Sequence, residues 1–187
     1  WPACAAARAH ARPTPPPPTT KTEALAVIPC SVPAAAAGYT SAMLATYNFL
    51  VGFHNLLRWV VVLGGVWALV TMIRGLATQA AWTQQAGLSA RVFTYGLHLQ
   101  LLVGLIMYGL LPAIGRASTG PIDARVSLVA HAGYMILAVI AAQVGTSTAR
   151  RAADDRAKYM RSTVAYAIAM ALIFWMIPWS RSLIPWG

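Results

Sequence analysis

Of 187 residues, 58% are hydrophobic and only 10% carry charge, while the net charge is +10. A soluble domain carries roughly a quarter charged residues on its wet surface; this composition excludes one and makes a lipid bilayer the solvent for most of the chain. Nucleic acid is excluded as the partner of the positive charge. Lys and Arg form no groove-like run or single helix face, but punctuate the ends of apolar stretches, where they hold loops and meet anionic headgroups.

Residues 1–42 are Ala- and Pro-rich, with a proline run from Pro15 to Pro18, and have neither helical nor strand periodicity. They read as a disordered leader. The chain opens on Trp1 and its first methionine is Met43, so the expected working unit is 43–187. Cys4 and Cys30 both fall in the leader, without the Cys-x-x-Cys-His signature of covalent haem.

Four apolar spans follow, from about Asn48 to Ile73, Arg91 to Ala113, Arg125 to Ser147 and Ser162 to Trp179. Each approaches the roughly 20 residues that cross about 30 Å of hydrocarbon. Short loops make neighbours antiparallel, and the expected fold is all-α, an integral membrane antiparallel four-helix bundle. The loops between spans one and two and between spans three and four hold Arg74, Arg91, Arg150, Arg151, Arg156, Lys158 and Arg161; the other face holds Arg116, Arg125 and Arg181. That asymmetry expects the first set in the cytoplasm, with the protein in a bacterial inner membrane.

Three of the four histidines, His54, His98 and His131, fall inside spans, where an ionisable group is costly unless paired, hydrated or ligated. His54 and His131 are each about six residues into their spans, roughly 9 Å below the same face. His98 enters from the opposite face and lies roughly 11 Å lower than His54. The outer pair can therefore ligate one iron from opposite sides. At the level of His98 the third span offers Gln143, a poor iron ligand whose natural role is a hydrogen bond to His98.

Two imidazoles across an apolar bundle suit low-spin haem iron, leaving one-electron transfer. Zinc wants four ligands, and no carboxylate or thiolate stands near the pair. Arg58, one turn beyond His54 on the same face, is placed to neutralise a haem propionate or to snorkel to the interface. The competing reading is a haem-free structural or accessory subunit whose histidines make interhelical hydrogen bonds.

The segments His54-Asn55-Leu56-Leu57-Arg58-Trp59, His98 through Tyr108 and Ile177-Pro178-Trp179 resemble the small four-helix bacterial membrane proteins labelled cytochrome b or cytochrome b-like. The resemblance implies electron transfer through haem b, with quinone or a partner redox subunit. The third span departs from that pattern: Ala130-His131-Ala132 stands where similar proteins have Glu-His-Pro, and Gln143 where they have a second histidine. Two stacked haems need four histidines, so this chain, with three in its spans, is expected to hold one. His98 and Gln143 are left as secondary cofactor-binding candidates.

Overall fold

A computed structural model describes residues 34–115, 120, 122 and 127–179. Four helices make up nearly all of it: α1 (Ala34–Ala77), α2 (Gln84–Leu110), α3 (Leu128–Arg150) and α4 (Asp155–Met176), with a 3-10 turn at Pro112–Ile114 after α2. All four are long and apolar enough to cross a membrane. Residues 1–33, with Cys4, Cys30 and His10, lie outside the described residues, as do Arg116, Arg125 and Arg181.

The helix ends differ from the apolar boundaries. The Met43 boundary falls inside α1, because Ala34–Ala37 are strong helix formers that run directly into the span. α2 begins at Gln84 rather than Arg91, capped by the Thr83 hydroxyl, which accepts from the Ala86 amide at 3.1 Å. α4 begins at Asp155 rather than Ser162, capped by the Asp154 carboxylate on the Ala157 amide at 2.7 Å. These caps satisfy amides that a helix start would leave bare, so polar first turns join apolar spans.

Each helix buries a stripe at alternating spacings of three and four: Val61, Gly65, Ala68, Met72 and Gly75 on α1; Ala86, Ala90, Phe93, Leu97 and Gln100 on α2; Ala138, Ala142, Gly145 and Ala149 on α3; Tyr159, Ser162, Tyr166, Ala169, Ile173 and Met176 on α4. That repeat keeps one seam facing a neighbour along helices crossing at a shallow angle. The large aliphatics point the other way, with Leu63, Val70, Leu102, Ile140, Val164 and Ile168 all exposed. Lipid is as apolar as these side chains, so close packing of small residues and interhelical hydrogen bonds must hold the helices together.

α1 packs on α2 and α4, and α3 packs on α2 and α4. Along α1 and α2 the facing positions run in opposite order, Gly64 to Val92, then Val61 to Gly96, then His54 to Gly104. α1 and α4 do likewise, with Gly75 against the Tyr159 ring and Gly65 against Met170. These neighbours therefore run antiparallel. A hydroxyl cluster ties the remaining seams: Thr146 donates to Ala142 O at 3.0 Å, so its lone pairs accept from Thr94 at 2.9 Å and Tyr166 at 2.8 Å. One threonine thus links α2, α3 and α4.

Candidate functional site

A cavity of about 270 Å³ opens among the four helices, walled by apolar side chains such as Val61, Leu97, Val139 and Ile173. His54, Arg58 and His131 all line it. The volume is just below the roughly 300–1,000 Å³ usual for small-molecule sites, and apolar walls with a few convergent polar groups are the usual form of one.

His131 is held through the end of α4. Pro178 drives Ile177 out of the helix into an extended conformation, φ −65° and ψ 124°. The helix stops there, and the Met176 carbonyl accepts from His131 Nδ1 at 3.2 Å. Because a carbonyl can only accept, Nδ1 carries the proton, and in the neutral ring the lone pair is on Nε2.

His54 is held by close packing. Its Nδ1 is buried with no hydrogen-bond partner, and a methyl group on Gly104 would stand 3.3 Å from its Cε1. Glycine at 104 gives the ring its room. Gln100 binds the helix behind it, donating from Nε2 to His54 O at 3.0 Å, while its Oε1 is buried without a partner. His54 is within electrostatic reach of both His131 and Arg58.

Arg58 is buried rather than snorkelling, with its guanidinium carbon 5.9 Å from the centre of the Trp59 ring. Its Nη2 is buried and has no hydrogen-bond partner. A cation held so inside an apolar wall calls for an anion.

The structure separates the other two candidates from the cavity. His98 is exposed, and its Nδ1 bonds to Thr94 O at 2.7 Å on its own helix. Gln143 is also exposed and donates to Ser147 Oγ at 3.2 Å. The expected His98–Gln143 hydrogen bond is therefore not made. Both residues sit one position past a buried one, Leu97 and Ala142, and one position is a turn of about 100° around the helix axis. Opposite His54 stands Gly104, six residues or about 9 Å along α2 from His98.

Gln100 and Gly104 were readable only as a general polar residue and a small one; their roles come from facing His54. The Met176 carbonyl had a sequence signal in Ile177-Pro178, which ends a helix. Among the described residues no group of three or more His, Cys, Asp or Glu comes together. Compared with protein-family models, curated proteins and solved structures, the chain matches none.

Proposed function

We propose that the chain is an antiparallel four-helix membrane bundle that binds one haem b between His54 and His131 and passes electrons within the bilayer, to or from quinone or a partner redox subunit. The observation that carries this is the meeting of two imidazoles and an unsatisfied guanidinium on the wall of one interhelical cavity. The donor set fits the group. Two neutral nitrogen donors would be enough to hold a haem iron, whereas a four-ligand zinc site asks for more.

A haem held by His54 and His131 would supply reversible one-electron transfer. The protein's part is orientation and environment. The Met176 carbonyl fixes the His131 tautomer and ring plane, as outer hydrogen bonds do for ligating histidines. Arg58 Nη2, which has no partner, would hold a propionate carboxylate, and the aliphatic walls would limit water around it. The cationic loops support an orientation in a bacterial inner membrane with the Arg74–Arg91 and Arg150–Arg161 ends inside.

A reduced-minus-oxidised spectrum of protein expressed with ample haem tests the reading. A b-type spectrum is expected; a stable, colourless protein overturns it. The haem-free accessory subunit then takes its place, a reading favoured by the exposed polar groups of His98 and Gln143 at membrane depth, which a covering subunit would shield.

A further inference from the structure

At the opposite end of the helices a second cavity, about 220 Å³, lies among α2, α3, α4 and the loop carrying Trp82. Its wall holds three cations from three helices: Arg91 of α2, Arg150 of α3 and Lys158 of α4. Lys158 pairs with Asp155 at 2.7 Å, the only salt bridge among the described residues, and Asp155 also accepts from the Trp82 amide at 2.9 Å. That carboxylate answers one charge. Arg91 and Arg150 have no carboxylate partner among the described residues.

Ser162 adds an independent sign. It lines the same cavity, is fully buried, and its Oγ has no hydrogen-bond partner. Other helical hydroxyls return their proton to the preceding turn, Thr71 to Trp67 O, Ser89 to Ala86 O and Thr163 to Tyr159 O. Ser162 is left with an unused donor on a residue that lines the cavity. A water would satisfy the hydroxyl, but the exposed side chains of Arg91 and Arg150 line the same cavity with no carboxylate beside them, so the space favours an anion over water.

We infer that this cavity binds a phosphate group, with Arg91 and Arg150 as planar forks, Lys158 as a point charge and Ser162 as a neutral donor. Its place at the helix ends is where polar headgroups meet a membrane protein, and basic pockets between helices take anionic headgroups there. A lipid phosphodiester or free inorganic phosphate presents the same oxygens.

The test uses the purified full chain reconstituted in vesicles of phosphatidylglycerol and phosphatidylcholine, with native mass spectrometry to count retained lipid and calorimetry with inorganic phosphate in neutral detergent. Selective retention of phosphatidylglycerol that falls about tenfold or more in Arg91→Gln/Arg150→Gln supports a lipid phosphate. Phosphate binding with the same dependence, without lipid retention, supports a soluble source. Ser162→Ala, which fits the same space, weakens either ligand severalfold at unchanged helix content, so the inference stays testable if the double variant misfolds. Arg74→Gln removes an exposed charge at the same end but outside the cavity, and leaves binding unchanged. Binding of neither ligand, or equal losses in Arg74→Gln and the double variant, overturns the site.

Discussion

The two cavities lie at opposite ends of the same four helices and differ little in size, about 270 against 220 Å³, yet their walls carry different chemistry. One gathers two imidazoles, a buried guanidinium and two amides; the other gathers three cations and three hydroxyls. In the wall of the second cavity Thr146 and Tyr166 satisfy one another, with Thr94 on the same hydroxyl. Among the described residues the buried side-chain polar atoms without a partner are His54 Nδ1, Arg58 Nη2, Gln100 Oε1 and Ser162 Oγ, and every one belongs to a cavity-lining residue. A membrane protein has strong reason to pair its polar groups internally. The unpaired ones are confined to residues that line two hollows, and both proposed ligands rest on that distribution.

The comparison breaks most sharply at the histidines. His54→Ala or His131→Ala is expected to abolish haem absorbance in the purified protein while leaving phosphate retention at the far end intact. His98→Ala, exposed and bonded only to its own helix, keeps the spectrum. Haem absorbance that survives His131→Ala would end the axial assignment.

Next in size come the seams that hold both cavities in shape. A methyl group at Gly145 would meet the Ala165 Cβ, and one at Gly75 the Tyr159 ring. Neither neighbour can yield easily: Ala165 has no rotamer to change, and the Tyr159 hydroxyl is tied to Ala81 O at 3.1 Å. Gly145→Ala and Gly75→Ala should each cost about 1–3 kcal/mol. Gly65→Ala also crowds Phe93, but its other contact is the flexible end of Met170, and it should cost less. Thermal unfolding in detergent would order the three, and a neutral Gly145→Ala would show that α3 and α4 are not packed at this distance. Thr146→Val follows, stranding the hydroxyls of Thr94 and Tyr166 at about 1 kcal/mol, near the range of membrane hydrogen bonds.

The spans were legible because apolar length is a one-dimensional signal, and hydropathy finds it without knowing what touches what. Their polar first turns were not, since Gln84, Gln85, Asp155 and Arg156 belong to the helices through the caps Thr83 and Asp154 rather than through hydropathy. The packing seams were hidden for a different reason. These helices are apolar on every side, so inside differs from outside in size rather than polarity: Ala138, Ala142, Gly145 and Ala149 face protein while Leu137, Ile140 and Val144 face outward. Depth alone therefore paired His98 with Gln143. The seam also sorts the histidines, because His54 precedes Arg58 and Val61 at spacings of four and three, and His131 precedes Met135 and Ala138 likewise, whereas His98 falls off the repeat.

The smallest expected effect is the sharpest probe of that seam. Gly104→Ala puts a methyl 3.3 Å from His54 Cε1 and 3.8 Å from Nδ1, so the imidazole must give by a fraction of an ångström. Replacing a mid-helix glycine by alanine gains up to about 1 kcal/mol of helix propensity, which offsets the crowding and leaves stability near its starting value. Haem content should therefore be unchanged while the reduction potential and the reduced spectrum shift, because the ring's orientation tunes its iron. Gly133→Ala is the matched control, with nothing within 4 Å of the added carbon. It gains the propensity and presses on no ligand. Equal potentials in the two variants would mean that the ring packed against Gly104 is not one that holds the iron, and His54 would lose its place opposite His131.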